Sequence, residues 1–246
     1  MHQFIFGIYP YIALTILIFG SIVRYETVPF TWKSSSSQLL RRKQLILGSV
    51  LFHIGILTIF FGHLFGLLTP LWLIELLGIS HQAKQILAVV VGGVAGVAAL
   101  LGGVILLHRR LVDPRIRATS SPMDIMILCL LLLQLTLGML TIFISLQNLD
   151  GGEMVKFMAW AQAIFTFDGR AASYTLGAPL LFQLHVFLGL TIFVLFPFSR
   201  LVHMLSAPLR YVVLRPGWQI VRSRRAKARP RSTIKSGIKP AIKPAE

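Results

Sequence analysis

Four histidines of this sequence lie inside apolar stretches that are long enough to cross a membrane. Ionisable side chains are costly inside a bilayer, so those that occur there are usually functional. Imidazole is a common metal ligand, and two imidazoles facing one another across a gap suit the axial positions of a haem iron. We therefore interpret the four as the axial ligands of two haems. They are His53 and His63 in the stretch 45–68, and His185 and His203 in the stretch 179–204.

Haem fits these histidines better than zinc does, because neither stretch contains a carboxylate or a thiolate. Zinc takes four protein ligands, or three and a water, whereas haem brings four nitrogens and needs only two more ligands. An iron with both axial positions filled has no open site for substrate, which is typical of electron transfer. We expect each Nδ1–H to be held by an acceptor, most simply a helix carbonyl. The alternative, a haem-free anchor whose histidines only hydrogen-bond between helices, stays open.

The single cysteine of the sequence, Cys129, limits how a haem can be attached. One cysteine excludes a CxxCH attachment, an internal disulfide, and an iron–sulfur or zinc cluster held by this chain alone. The haems must then be held non-covalently, as haem b. We expect Cys129 to be a small buried residue. Of the three other histidines, we expect His2 at the terminus, His108 at the cytoplasmic interface and His81 in an external loop.

The composition predicts an all-α protein, a polytopic membrane bundle of five transmembrane helices. Among the 246 residues, 55% are hydrophobic and only 13% are charged, which is unlike an ordinary soluble domain. The first apolar stretch lacks the basic start and the small-residue cleavage site of a signal peptide, so we expect it to be retained. The predicted spans cover residues 4–23, 45–68, 86–107, 123–146 and 179–204.

The distribution of positive charge predicts the orientation of these spans. The loops 24–44 and 108–124, together with everything from Arg200 onward, hold 21 of the 24 lysines and arginines. By the positive-inside rule these segments are cytoplasmic, so the N-terminus is outside and the C-terminus is cytoplasmic. The net charge of +16 is explained by this topology, and we expect no nucleic-acid partner.

The direction of the spans then predicts which histidines meet. Span two runs outward and span five runs inward, so His63 pairs with His185 near the outside, and His53 pairs with His203 near the cytoplasm. Ten residues of helix separate His53 from His63 by about 15 Å, whereas 18 residues separate His185 from His203 by about 27 Å. We expect helix tilt and a kink at Pro197 to absorb the difference.

Among the three spans without paired histidines, spans three and four are interpreted as structural elements. Span three contains a GxxxG pair, Gly92 and Gly96, which favours close helix packing. The alternative is that its missing side chains leave room for a flat porphyrin. Pro114 and Pro122 prevent one continuous helix from joining spans three and four.

The loops and the tail complete the predicted organisation. In the long external loop, the stretch 154–167 is expected to form a short helix lying on the membrane. Residues 1–215 are expected to form the five-span domain. Residues 216–246 are a basic, proline-rich tail without apolar periodicity, which we expect to be disordered and to contact anionic lipid.

Five stretches of the sequence, which together run through residues 3–215, match a known family. They are FHIGILTIFFGHLFG (52–66), AKQILAVVVGG (83–93), LHRRLVDPRIRAT (107–119), WAQAIFTF (160–167) and LHVFLGLTIFVLFPFSRLVH (184–203). The segment FPFSRLVH and the double-histidine span are the specific parts of the match. On these stretches the chain resembles the gamma subunit of respiratory nitrate reductase, a five-span dihaem cytochrome b.

The resemblance implies that the chain oxidises quinol near the outer face of a bacterial or archaeal cytoplasmic (inner) membrane. Electrons would pass through the outer haem and the inner haem to an iron–sulfur beta subunit and a molybdenum-containing alpha subunit on the cytoplasmic side. Nitrate would be reduced in that alpha subunit and not in this chain. A related alternative is a dihaem subunit that serves a different reductase, for example in sulfur metabolism.

The resemblance also implies roles for individual residues. The axial ligands fall on the same two histidine pairs that the span directions predict. The quinol site would be formed by Lys84, Gly62 and His63, although snorkelling is an ordinary alternative for this lysine. Cationic side chains near the inner haem are candidates to pair with its propionates, although positive-inside anchoring already explains them. These residues are Arg109, Arg110 and Arg200.

Overall fold

The computed structural model describes residues 1–28, 31–32 and 40–208, so the tail predicted over 216–246 lies outside the described residues. The described residues form helices and turns without any strand. The helices are α1 (Tyr9–Thr27), α2 (Arg42–Leu68), α3 (Leu71–Leu76), α4 (His81–Val112), α5 (Pro114–Ala118), α6 (Pro122–Gln147), α7 (Gly152–Phe165), α8 (Ala171–Tyr174), α9 (Leu180–Leu195) and α10 (His203–Pro208). A π-helical turn, Phe4–Ile8, precedes α1, and two 3₁₀ turns, Phe196–Phe198 and Arg200–Val202, lie between α9 and α10.

Five helical segments are long and apolar enough to cross a membrane, as predicted. They are Phe4–Thr27, α2, α4, α6 and Leu180–Phe198. We call the end of the bundle that holds Leu68 and His81 the outer end, following the orientation that the charge distribution predicts.

The breaks between α4, α5 and α6 follow from side chains that cap helices. Asp113 accepts backbone hydrogen bonds at the start of α5, and Pro114 occupies the first position of that helix. Ser121 and Asp124 form a reciprocal capping box at the start of α6, where Pro122 again takes the first position. The predicted interruption of the helix at the two prolines is confirmed.

The long helices form an open arc. α2 packs closely on α4, α4 on α6, α6 on α9, and α9 on α1, whereas α2 and α9 are not among the closely packed pairs. Small residues allow the α2–α4 contact, because a Cβ added at Gly55 would collide with Ala95 O, and one added at Gly102 would collide with Phe52 N.

The glycines of α4 bear out the packing interpretation in part. A Cβ added at Gly96 would collide with Met139 of α6, so this glycine allows close contact between the two helices. A Cβ added at Gly92 would meet nothing within 4 Å, so the first member of the GxxxG pair faces open space.

The predicted short helix over 154–167 is confirmed as α7. Hydrogen bonds connect α7 to the segment before α1 and to the end of α2. Trp160 Nε1 donates to Phe6 O at 2.9 Å, which joins α7 to the π-helical turn before α1. Gln162 Nε2 donates to Leu67 O at 3.1 Å and to Thr69 O at 3.0 Å, the free carbonyls at the end of α2. α7 therefore covers the outer end of the arc.

Two predictions about the spans are wrong. The stretch 179–204 is not one helix, because α9 ends at Leu195 and Ser199 has an extended backbone between the two 3₁₀ turns. Pro197 lies in the first of these turns, where its missing N–H interrupts the helical ladder. Cys129 is not buried but exposed, on the outward strip of α6 that also carries Met126 and Leu133.

Candidate functional site

The structure brings the four histidines together in two pairs. The ring centroids of His63 and His185 lie 6.1 Å apart, with an angle of 39° between the ring planes. The ring centroids of His53 and His203 lie 6.2 Å apart, with an angle of 72°. We call the first the outer pair and the second the inner pair. The pairing is the one that the span directions predict.

These separations match the distance needed for two imidazoles to bind one metal from opposite sides. A metal–imidazole bond is about 2.0–2.1 Å, which places the two ring centroids about 6 Å apart. Within the described part of the chain, no group of three or more His, Cys, Asp or Glu side chains could hold a metal ion. Each pair therefore offers two nitrogen ligands and leaves the remaining ligands to a group such as a macrocycle.

Three of the four rings are oriented by a carbonyl of their own helix or turn, as expected. A ring whose Nδ1–H is held in this way presents the lone pair of Nε2 to a metal. The acceptors are Ser49 O for His53 at 2.7 Å, Ile59 O for His63 at 2.9 Å, and Arg200 O for His203 at 2.5 Å.

His185 is the exception, and α6 surrounds it instead. Gln134 Nε2 donates to His185 O at 3.0 Å and lies 3.3 Å from His185 Nε2. A Cβ added at Gly138 would come within 2.9 Å of His185 Cε1, so this glycine makes room for the ring. Among the described residues, His185 Nδ1 and Gln134 Oε1 are both buried without a hydrogen-bond partner.

Sequence reasoning missed Gln134 and Gly138, because span four was interpreted as structural. A signal was present in the sequence. Gln134 is an uncharged polar side chain in the middle of an apolar span, where such a group normally hydrogen-bonds to another helix. Gly138 follows it by one helical turn, so both lie on the same face of α6.

The rings occupy a gap between α2, which carries His53 and His63, and the later part of the chain, which carries His185 on α9 and His203 after the break. α2 and α9 are not closely packed, and both His53 and His63 are exposed on the surface of α2. The ring contacts across this gap therefore come from long side chains rather than from close backbones. A space of this kind, bordered by opposed imidazole nitrogens, fits a flat group inserted edge-on between the helices.

The break after α9 resolves the mismatch in spacing that a continuous helix would produce. A straight helix would separate His185 from His203 by about 27 Å, against about 15 Å between His53 and His63. With the helix interrupted at Phe196–Val202, both pairs reach nearly the same ring separation. The predicted irregularity at Pro197 is confirmed, although it is a break rather than a kink.

Lys84 lies at the outer end of the bundle, against the last turns of α2. Its Nζ donates to Gly66 O at 2.8 Å and lies 3.0 Å from Met158 Sδ of α7. Gly62, one turn before Gly66, would present an added Cβ to open space. The structure thus brings the lysine to the helical segment that carries Gly62 and His63.

The cationic residues near the inner pair already have protein partners. Arg200 Nε lies 3.5 Å from Asp124 Oδ1, and both side chains are largely buried. Arg109 Nη2 donates to Leu40 O at 2.6 Å, and Arg110 Nη1 donates to Ser120 Oγ at 3.4 Å. Their predicted role with haem propionates stays a prediction.

The remaining histidines have contacts away from both pairs. His2 Nε2 lies 3.0 Å from Ala172 O, and His108 Nδ1 lies 3.4 Å from Gln44 Nε2. His81 Nε2 lies 4.0 Å from Glu75 Oε1. His81 begins α4 rather than lying in a loop, and the interfacial position expected for His108 stays a prediction.

Comparison with known proteins identifies the family. The model of the nitrate reductase gamma subunit matches residues 2–224. The respiratory nitrate reductase 1 gamma chain of Escherichia coli strain K12 is 49% identical over 91% of this chain and 98% of its own length. The chain belongs to the nitrate reductase gamma subunit family.

Two further relatives agree. The respiratory nitrate reductase 2 gamma chain of the same strain is 50% identical over 92% of this chain and 98% of its own length. The nitrate reductase gamma chain of Bacillus subtilis strain 168 is 42% identical over 85% of this chain and 94% of its own length. The family match includes all five long apolar helices and all four paired histidines, so this gamma subunit is a multi-pass membrane protein.

Proposed function

We propose that this chain oxidises quinol near the outer end of the bundle and delivers the electrons to partner subunits that reduce nitrate. The observation that carries the proposal is the presence of two imidazole pairs at two positions along α2, each with rings about 6 Å apart. Electron transfer across a membrane needs redox groups at more than one depth, and the two pairs provide places for them.

The residues fit two haem b groups held without covalent attachment. His63 and His185 would hold the outer haem, and His53 and His203 the inner one. When bound, haem supplies one-electron redox chemistry at an iron whose axial positions are both filled. The chain's own contribution is to fix the rings, since backbone carbonyls hold three Nδ1–H groups and leave Nε2 available.

Lys84 is the residue best placed to act on quinol. Its ammonium group is held beside α2 by Gly66 O, and can donate a hydrogen bond to a quinol oxygen or stabilise the negative charge that develops there. The open side of Gly62 leaves space for a ring next to His63. Quinol oxidation at this end would release protons outside, and each electron moved inward against 100 mV costs about 2.3 kcal/mol, so the reaction stores energy.

The partners would be an iron–sulfur beta subunit and a molybdenum-containing alpha subunit on the cytoplasmic side of a bacterial inner membrane. The support is the family, whose members are gamma chains of nitrate reductases. The asymmetry of positive charge supports a position of the inner pair on that same side.

A reduced-minus-oxidised absorption spectrum of the protein, purified together with its subunits, tests the proposal. We expect two b-type haem signals. His185→Ala should remove one of them and abolish quinol oxidation, because the outer site would lose one axial ligand. His108→Ala serves as the matched control, since His108 lies outside both pairs.

The same experiment distinguishes the alternatives. A colourless protein would leave only the haem-free membrane anchor, and a His185→Ala variant that retains both signals would contradict the ligand assignment. Co-purification with a reductase that acts on a different substrate would point to the other dihaem complex.

A further inference from the structure

The break between α9 and α10 leaves a backbone carbonyl without its usual helical partner. In a continuous helix, Pro197 O would accept from the N–H of Leu201. Here the Leu201 N–H bonds to Ser199 Oγ at 3.2 Å instead. Ser199 itself is extended, with φ −112° and ψ −179°, so the chain changes direction between the two 3₁₀ turns.

A single side chain from α1 occupies this break. Arg24 Nη1 donates to Pro197 O at 2.6 Å and to Ser199 O at 2.7 Å. The same guanidinium donates from Nε to Thr31 Oγ1 at 3.3 Å and from Nη2 to Thr31 O at 3.1 Å. The rigid fork of an arginine can hold several acceptors at once, which a flexible lysine does less well.

The residue one turn earlier on α1 provides the steric half of this contact. A Cβ added at Gly20 would come within 2.8 Å of Pro197 Cγ, so the proline ring packs directly on the glycine. α1 therefore makes room for the break and donates hydrogen bonds to two of its buried carbonyls. We call Gly20 and Arg24 the α1 clasp.

The residues that the α1 clasp contacts lie close in sequence to His203 of the inner pair. His203 follows Ser199 by four residues, and its Nδ1–H is held by Arg200 O within the second 3₁₀ turn. A displacement of this turn would move the ring and its acceptor together. The outer pair has no such dependence, because His63 and His185 lie within the uninterrupted helices α2 and α9.

We infer that Arg24 is a positioning residue for the inner pair: it holds the break between α9 and α10 in the geometry that places His203 opposite His53. The inference rests on the proposed function in one respect. Its test measures the haem bound at the inner site, and that haem reports the position of the His203 ring. Without the guanidinium, Pro197 O would lose the donor that replaces its helical one, and Ser199 O would keep only its bond within the second 3₁₀ turn. The break would then rearrange to recover hydrogen bonds.

The test compares Arg24→Gln with Arg24→Lys in the complete complex, and measures the haem content and the midpoint potential of each b haem. His203→Ala and His185→Ala identify the inner and outer signals. We expect Arg24→Gln to lose the inner signal or to shift its potential, while the outer signal keeps its wild-type amplitude and potential. Arg24→Lys should show a smaller shift in the same signal, because lysine keeps the charge and part of the hydrogen bonding. Arg117→Gln is the control for loss of an exposed positive charge on the same side.

The outcomes separate this inference from the proposed function. Unchanged inner and outer signals in Arg24→Gln would overturn the positioning role. If Arg24→Gln does not accumulate in the membrane, Arg24→Lys decides: a change confined to the inner signal supports the role, and equal changes or no change in the two signals overturn it. A wild-type complex without any haem would instead refute the proposed function.

Discussion

The inner and outer pairs reach the same ring separation by different means. The outer pair lies on two uninterrupted helices, and α6 packs around His185 with Gln134 and Gly138. The inner pair joins the middle of α2 to the first residue of α10, which follows a break in the chain. Helix packing therefore sets the outer site, whereas hydrogen bonds across a break set the inner one.

This difference follows from the sequence positions of the histidines. Ten residues separate the histidines of α2, but 18 separate those of the fifth span. A straight helix would place His185 and His203 about 27 Å apart, against about 15 Å between His53 and His63. The extended backbone of Ser199 changes the direction of the chain before His203, and carbonyls at this break take a donor from another helix.

The largest expected effect is the loss of haem from variants that lack two histidines. Such variants test whether the four histidines form these two sites. The double variant His63→Ala with His185→Ala should lose about half of the bound haem, because both changes fall in one site. The double variant His63→Ala with His53→Ala should lose nearly all of it, because one ligand is removed from each site. The haem content per purified complex measures both. Equal losses in the two variants would contradict the pairing.

The pairing itself could be predicted from the sequence, because it depends only on the order of residues along spans of known direction. The five spans were recognisable from apolar length, and Pro114 and Pro122 marked helix boundaries by their chemistry. The partners of the side chains that complete the two sites were not recognisable, although Gln134 is marked in the sequence as a polar residue within an apolar span. Arg24 meets Pro197 from 173 positions away in the sequence, and Gln134 meets His185 from 51 positions away. One sequence gives no information about which faces of two distant helices meet.

Gly138→Ala is expected to cause a smaller loss of haem, confined to the outer site. The added Cβ would lie 2.9 Å from His185 Cε1, so the ring must move or the helices must separate. Overpacking of this kind costs about 1–3 kcal/mol, which would weaken haem retention at the outer site about five- to 140-fold. The inner signal should stay unchanged, as measured by redox titration of the two b haems.

Gly92→Ala is the matched control for this substitution. Gly92 also lies in a transmembrane helix, but a Cβ added there would meet nothing within 4 Å. A loss of haem in Gly92→Ala equal to that in Gly138→Ala would show that any added methyl group disturbs the bundle. The comparison therefore separates contact with His185 from a general effect of losing glycine.

Two wrong predictions have physical reasons. Cys129 is exposed because α6 turns its other faces toward α4 and α9, and an apolar span does not reveal from composition which face points outward. The fifth span was taken as one helix because its apolar run continues through Pro197 without a polar interruption. Hydropathy measures how apolar a segment is and not whether its hydrogen bonds are continuous.

The smallest expected effect is the shift of the inner haem signal in Ser49→Ala. Ser49 contacts the His53 ring of the inner pair through both its carbonyl and its hydroxyl. His53 Nδ1 lies 2.7 Å from Ser49 O and 3.2 Å from Ser49 Oγ, whereas the acceptor for His63 is the carbonyl of Ile59. Ser49→Ala removes the hydroxyl but keeps the carbonyl, so we expect both haems to be retained and only a small shift in the inner signal, worth less than about 1 kcal/mol. Thr58→Ala, whose hydroxyl bonds to Ile54 O on the same helix, is the control and should leave both signals in place. Complete loss of the inner haem in Ser49→Ala would mean that the hydroxyl, and not the backbone carbonyl, holds the His53 ring.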